Sequence, residues 1–294
     1  MSGASGFVGS RLVGVLRARG AEVIAISRRP EAAERGLDGV KVIHWDDVTD
    51  TIAAGVDAVV HLAGETVQGR WNKAKAVAVK DSRVRTTRLL VDAVAAAPTP
   101  PSVFLSASGI GFYGEGGEDL LTEEAPAGDD FFADVCVEWE REALLAQQAG
   151  CRAAILRFGI ILGDGGGALD AMLLPTKLGI AGPLGSGRQW WSWVHRDDAV
   201  NAICHALDSG EVSGPVNVVA PEAVRQADFQ RALSSLVGRP SFVPAPAFAL
   251  KMVLGTFAQE VLSSKKVVPK ALQETGFSWS LPDLSDALRE AISR

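Results

Sequence analysis

Three glycines spaced three apart open the chain, Gly3, Gly6 and Gly9 within Ser2-Gly3-Ala4-Ser5-Gly6-Phe7-Val8-Gly9. Residues 10–19 follow with the apolar spacing of a helix that faces a sheet. A loop of this kind suits an anion. Glycine removes the Cβ that would hold a pyrophosphate off the backbone, and the helix behind it turns unpaired N–H groups and its positive dipole end toward the phosphates. Gly3, Ser5, Gly6, Phe7, Val8 and Gly9 are therefore candidates for a dinucleotide cradle. A second chemical signal closes the apolar run 21–27, where Ser27 is followed by Arg28-Arg29-Pro30. An acidic residue there would take the ribose 2′-OH of NAD; hydroxyl and guanidinium donors suit a 2′-phosphate instead. NADP is the expected cofactor, and NAD the less favoured one.

The elements that must position these residues alternate. Strands are expected over 21–27, 40–45, 56–62, 102–108 and 151–158, with helices over 71–97 and 131–148 between them. The rhythm implies an α/β chain, a Rossmann-type doubly wound parallel sheet over residues 1–159. Such a fold needs a buried central strand ahead of the glycine loop, and only Met1 and Ser2 stand there. The expectation is a start that is truncated or numbered late, because deleting that strand would bare two apolar edges. His61 reads as a satisfied core histidine. The strand that carries it breaks at Ala63-Gly64, letting backbone pass close under a cofactor, and Glu65 stands at the cleft mouth as an acid, a base or a helix cap.

From Gly159 the rhythm changes. Gly-rich loops at 163–167 and 182–187 precede Gln189-Trp190-Trp191-Ser192-Trp193-Val194-His195, whose tryptophans either pack or line a cleft. Residues 190–219, with a helix at 197–207 and a strand at 215–219, are expected to return to the first domain. That leaves 160–189 and 220–294 as a smaller C-terminal substrate lobe.

Composition bounds the function. At 294 residues and 47% hydrophobic content the chain can bury a full core and a further lobe. A net charge of −6 without a basic stretch argues against nucleic acid as a partner. No apolar run reaches the roughly 18 residues of a membrane span and no cleavable leader is visible, so no membrane partner and a cytoplasmic location are expected. Cys136, Cys151 and Cys204 are odd in number and widely spaced, which suits a reducing compartment and implies neither a disulfide framework nor a metal site.

The Gly3/Gly6/Gly9 loop, His61-Leu62-Ala63-Gly64, Ser108 ahead of Tyr113-Gly114, and Arg157-Phe158-Gly159 together resemble an extended short-chain dehydrogenase/reductase, the group that contains nucleotide-sugar epimerases and dehydratases. More narrowly, Leu62-Ala63-Gly64-Glu65, Asp81-Ser82-Arg83, Gly185-Ser186-Gly187-Arg188-Gln189, Ser192-Trp193-Val194-His195 and Gly276-Phe277 are similar to its atypical NAD-dependent epimerase-like subgroup with a DUF1731 C-terminal domain, also labelled SulA-like or cell-division-inhibitor-like. The resemblance spans essentially the whole chain. It implies a small-molecule substrate, nucleotide-linked ones included, and a homodimer paired through two helices. It also implies that Leu62, Ala63 and Gly64 line the nucleotide, that Arg83 turns toward the cofactor, and that Ile160 sits near the nicotinamide.

The family chemistry uses Ser, Tyr and a Lys four residues beyond that Tyr, whose charge lowers the phenol pKa. Ser108 keeps the first role, that of holding the substrate oxygen. The helix that should carry the pair reads Phe132-Ala133-Asp134-Val135-Cys136, with neither a phenol nor a fixed charge. Cys136 as a thiol acid and Tyr113 as a phenol are the candidate replacements, against plain packing for both. Two functions stay open: an NADP(H)-dependent oxidoreductase or epimerase-like enzyme with a non-standard site, and a cofactor-binding regulator or partner-binding module without turnover, linked to cell division.

Overall fold

The structure is a computed structural model and describes residues 1–67, 69 and 71–293. The first part runs α1 (Phe7–Ala18), β1 (Ile24–Ser27), α2 (Pro30–Glu34), β2 (Lys41–His44), α3 (Asp50–Ala54), β3 (Ala58–His61), α4 (Lys73–Ala96), β4 (Val103–Gly109), β5 (Leu120–Leu121), α5 (Phe131–Leu144) and β6 (Arg152–Phe158). The second runs β7 (Ile160–Leu162), α6 (Gly167–Lys177), β8 (Trp190–Trp191), β9 (Trp193–His195), α7 (Arg196–Asp208), β10 (Gly214–Val218), β11 (Val224–Arg225), α8 (Gln226–Val237), α9 (Ala247–Leu254), α10 (Phe257–Leu262), β12 (Lys266–Val267), α11 (Lys270–Glu274) and α12 (Leu284–Ile292).

The main sheet is parallel, in the order β2-β1, then Met1–Ser2, then β3-β4-β6-β10. Ser2 bridges both Ile26 and His61, so two residues occupy the central position where a full strand is expected. The Ser2 amide donates to the Val60 carbonyl at 2.9 Å, and the Ile26 amide to that of Met1 at 2.8 Å. Both faces of β4 and β6 are covered, so successive residues are buried along each strand. On one face Leu12, Leu105, Leu156, Val200 and Ile203 tie α1 and α7 to the sheet; on the other Leu90, Val94, Ala143, Phe104 and Ile155 tie α4 and α5 to it.

Local signals set the helices that reach the cleft. The Asn72 side chain accepts from the Lys75 amide at 2.8 Å at the start of α4, and Asp130 accepts from the Phe132 and Ala133 amides at 2.9 and 3.0 Å at the start of α5. Both helices bury one stripe between the sheet and each other.

The later chain differs from the sequence reading in detail. Between its two glycine loops the chain forms α6, which holds a helix through Pro175. The tryptophan stretch packs: Trp191 and Trp193 join Leu162, Leu169, Phe229 and Leu233 in a separate core. Trp190 lies under the Arg225 guanidinium, 3.8 Å from the ring centre. β9 pairs with β7 and β8 with β11, while α7 and β10 complete the main sheet layer. The tail is a set of short helices around β12, which pairs in parallel with β5 and so brings residues 260–267 back over the first part of the chain.

Candidate functional site

Gly3, Gly6 and Gly9 shape the first turn, each by lacking a side chain. Gly3 has φ of +69°, and a Cβ there would stand 2.7 Å from the Leu62 carbonyl carbon. A Cβ on Gly9 would stand 2.0 Å from the Gly3 oxygen. Gly6 caps α1 in extended conformation with no side-chain partner, so the first N–H groups of the helix face outward behind the exposed Ser5 and Gly6. This is a cradle that a Cβ would fill. Val8 packs against the sheet core. Phe7 turns its ring the other way, against Gly163, Gly166 and Gly167, where added Cβ atoms would come within 3.0, 2.8 and 3.0 Å of it. The Arg196 guanidinium lies 5.0 Å from the centre of that ring and is paired with Asp164, its Nε buried without a partner.

His61 is fully buried beneath the cradle. Thr86 Oγ1 donates to the Ser82 carbonyl at 2.6 Å and so accepts from His61 Nε2–H at 3.2 Å, which leaves Nδ1 to accept from Ser2 Oγ at 2.5 Å, while the Ala63 amide donates to the same Oγ at 3.2 Å. Burial drives its pKa down to about 3, leaving a neutral core histidine.

At the end of β1, Ser27 Oγ accepts from the Arg29 amide at 3.1 Å. The Arg28 side chain is 77% exposed and reaches Glu65 only at 3.8 Å. Glu65 is held by Lys75 at 3.1 Å, a hydrogen bond that keeps its carboxyl below the usual range. Among the described residues it caps no helix, Asn72 taking that place on α4, and its amide donates to Ser82 Oγ at 2.8 Å. Arg83 lies beneath this turn, donating to the Glu65 and Val79 carbonyls at 3.0 Å each, with its guanidinium 5.2 Å from the Trp139 ring centre and close against Gly64. Burial lowers its pKa. Leu62, Ala63 and Gly64 run between the cradle and Arg83, and Ile160 begins β7, half-buried, on the far side of β6.

Sheet register sets the next group. Ser108 on β4 pairs with Arg157 on β6, which pairs with Asn217 on β10, so the three cross the sheet in one row near the strands' carboxyl ends. Glu140 comes down from α5 to meet them. Ser108 donates to Glu140 Oε1 at 2.6 Å, and Arg157 grips the same carboxylate at 2.9 and 2.7 Å. Arg157 also donates to the Tyr113 hydroxyl at 3.0 Å, and that hydroxyl donates to Asn217 Oδ1 at 2.6 Å. The Tyr113 proton and an acceptor site are thus both engaged inside the protein, and burial raises its pKa to about 12. The Ser108 proton is likewise committed, which leaves its oxygen able to accept.

Cys136 lies one helical turn from Glu140 on α5. Its S–H donates to the Gly109 carbonyl at 3.7 Å, and burial followed by the charges of Glu140 and Glu260 raises its pKa to about 12. The thiol stays protonated across the physiological range. Above it stands a wall of rings: Trp71 stacks on Phe257 at 6.1 Å between centres and meets Phe132 edge-on at 5.0 Å. Beside that wall Glu260 and Lys265 form an ion pair at 3.1 Å. Glu140, Arg196, Asn217, Glu260 and Lys265 surround the candidate site and were missed by sequence reasoning. The stripe Phe132-Cys136-Glu140, four apart, carries a signal for Glu140; for Glu260 and Lys265 no local signal exists, because β5–β12 pairing delivers them.

A parallel sheet with a glycine cradle at its first crossover and a serine at the end of β4 defines an extended short-chain dehydrogenase/reductase fold. The chain belongs to the NAD dependent epimerase/dehydratase family, which it matches over residues 1–219, and residues 245–291 match the domain of unknown function DUF1731. It is 39% identical to the epimerase family protein SDR39U1 of Bos taurus over 100% of this chain and 99% of that one, and 39% identical to a chloroplastic homologue of Arabidopsis thaliana over 98% and 85%. Among solved structures it is similar to human SDR39U1 crystallised with NADPH, at 37% identity and a TM-score of 0.89 over 99% and 97% of the two chains. A nucleoside-diphosphate sugar epimerase from Corynebacterium glutamicum aligns at 31% identity and a TM-score of 0.80, over 99% of this chain and 57% of that one. Among the described residues no helix is long and apolar enough to cross a membrane.

Proposed function

We propose that this chain is an NADP(H)-binding oxidoreductase or epimerase-like enzyme of small molecules, nucleotide-linked ones among them, working from a site without the Tyr-x-x-x-Lys pair. The observation that carries the reading is the glycine cradle, where Gly3 and Gly9 admit no Cβ and the first turn of α1 faces outward. Gly3, Ser5, Gly6 and Gly9 hold the pyrophosphate, with Phe7 and Val8 fixing the turn and Arg196 adding charge beside it. Ser27 and Arg28 take the 2′-phosphate, Leu62, Ala63 and Gly64 line the nucleotide over Arg83, and Ile160 borders the nicotinamide. Bound there, the dinucleotide supplies a hydride donor or acceptor. Ser108 accepts a hydrogen bond from the substrate, while Tyr113 and Cys136 act as positioning groups. A cytoplasmic homodimer belongs to the same reading; Val77 and Leu89 of α4 and Val137 of α5 lie exposed on the helix pair expected to form it.

The commitment of the Tyr113 hydroxyl and the pKa of Cys136, raised to about 12, favour a second reading, a cofactor-bound regulator without turnover. One experiment separates the two. The nucleotide that co-purifies is released and identified, and the NADPH-loaded protein is mixed with carbonyl compounds and nucleotide sugars while the reduced-nicotinamide absorbance is followed. NADPH consumption abolished by Ser108→Ala supports the enzyme. Tight NADPH without consumption, and without epimerisation of the nucleotide sugars as read by chromatography, supports the regulator, and failure to bind NADPH at all overturns both.

A further inference from the structure

Large apolar side chains gather uncovered on one part of the C-terminal lobe. Leu174 and Leu178 stand four apart at the end of α6, Ile180 follows, Phe242 precedes α9, and Phe248 and Met252 stand four apart on α9. All six are more than half exposed, Phe242 at 74% and Met252 at 72%. No residue of α9 is fully buried, although seven of the eight in Ala-Phe-Ala-Leu-Lys-Met-Val-Leu are apolar, a composition that a folded chain normally covers.

The pieces are joined. The chain leaving α6 runs beside the chain entering α9: the Gly185 amide donates to the Ala245 carbonyl at 2.8 Å, the Ala245 amide donates to that of Pro183 at 2.9 Å, and a Cβ on Gly182 would stand 2.3 Å from the Val243 oxygen. Backbone pairing therefore fixes the two segments against each other. Their six side chains expose several hundred Å², at or above the roughly 300–600 Å² of the largest apolar patch on an ordinary monomer.

Charge indicates what covers such a face. Residues 171–186 and 239–256 carry Lys177, Arg239 and Lys251 and no Asp or Glu, in a chain whose net charge is −6. All three cations are exposed, and among the described residues none of them forms an ion pair. Salt confines each charge to about 10 Å, so a surface meeting this face feels these cations and not the acidic remainder. A second copy on the same face would set cations against cations. A peptide groove would shelter its lining, whereas Phe242, Phe248 and Met252 project with most of their surface open.

We propose that this face docks on an anionic lipid surface, with Phe242, Phe248 and Met252 entering the boundary between headgroups and acyl chains and Lys177, Arg239 and Lys251 resting among the phosphates. The contact lies in the interface and is not a membrane span. It is independent of the chemistry in the cofactor cleft.

The test uses the full chain in a sedimentation assay with sucrose-loaded vesicles of phosphatidylcholine, alone and mixed with phosphatidylglycerol, and light scattering on a sizing column for the assembly state. The expected result is binding to the mixed vesicles that falls with added salt and is at least about tenfold weaker on phosphatidylcholine alone. Phe248→Ser combined with Met252→Ser, and separately Lys177→Ala combined with Arg239→Ala and Lys251→Ala, should each weaken it at least about tenfold. The thermal midpoint should not move, because every substituted side chain is exposed. Equal binding to both kinds of vesicle, binding to neither, or undiminished binding by either variant overturns the proposal. So does a particle that becomes smaller in the serine variant without vesicles, since a second copy would then cover the face.

Discussion

Arg28 and Cys136 represent opposite extremes at the residue scale, one free in solvent and one sealed in the core. Arg28 has only a long 3.8 Å contact to Glu65, so replacing it removes little from the fold. A charged hydrogen bond to a phosphate contributes about 1.5–3 kcal/mol, so Arg28→Asp should weaken NADPH about tenfold to a hundredfold and leave NADH unchanged in parallel fluorescence titrations. Equal loss of both cofactors would refute the 2′-phosphate role. Cys136 has its pKa raised to about 12 by burial and then by Glu140 and Glu260. Thiolate is the nucleophile, so native Cys136 should stay unlabelled by iodoacetamide near neutral pH while the urea-unfolded chain labels fully, as read by peptide mass. Prompt native labelling would return the thiol to candidacy as a reactive group. Residue type and spacing made the glycine cradle and Arg28 legible in the sequence, because both act through short-range backbone geometry and charge. They could not reveal that the Ser108 and Tyr113 protons are spent on Glu140 and Asn217, which lie 32 and 104 residues away along the chain.

Elements turn these contacts into rigidity. The start of α5 was readable because Asp130 caps it, and its inward stripe was readable from the spacing of Phe132 and Cys136. The same stripe delivers Glu140 to Arg157, with side chains 6% and 3% exposed. Removing one partner of so buried a pair strands the other charge, so Glu140→Ala should cost about 3–5 kcal/mol in urea unfolding, whereas Arg231→Ala, which breaks a solvent-exposed pair with Asp228, should change stability by about 1 kcal/mol or less. A small effect for Glu140→Ala would mean that water already reaches this network. The turn before α1 is as unforgiving. A Cβ on Gly9 would meet backbone at 2.0 Å, which no rotamer change relieves, so Gly9→Ala should open the turn and abolish NADPH binding in the same titration. By contrast, α6 and the divided tail were hidden: Pro175 and the flanking glycines argue against a helix locally, and packing of Leu169 into the second core overrides them.

Over the whole molecule, buried titratable groups set the pH range in which the fold is stable, and the signs follow from which state holds the proton. His61 falls from 6.5 to about 3 on folding because burial disfavours its charged form. Between those values the unfolded chain binds a proton that the folded chain refuses, so stability is lost as pH falls from 6.5 toward 3. On the alkaline side burial raises Cys136 from 9.0 and Tyr113 from 10.0, each to about 12. There the folded chain keeps protons that the unfolded chain releases, and stability is lost as pH rises from 9.0 toward about 12. Each fully separated group contributes a slope of about 1.4 kcal/mol per pH unit. The urea midpoint should therefore be highest between pH 8.0 and 9.0, decline gently below 8.0 as the buried Met1 ammonium contributes, steepen below 6.5, and fall again above 9.0. The acid limb is the more telling one. Glu65, lowered chiefly by its Lys75 hydrogen bond, begins to lose its contribution only near its ordinary value of 4.5, so a decline already under way at pH 6 comes from the buried groups that titrate above it, His61 and the Met1 ammonium, which burial lowers from 8.0 to about 5. His61 lies between Ser2 and Thr86 at the base of the cradle, so the same decline should weaken NADPH binding before the chain unfolds, a coupling that titrations at pH 7 and pH 5 would reveal. An acid limb that starts only below 4.5 would mean that His61 accepts its proton without disturbing the strands it joins.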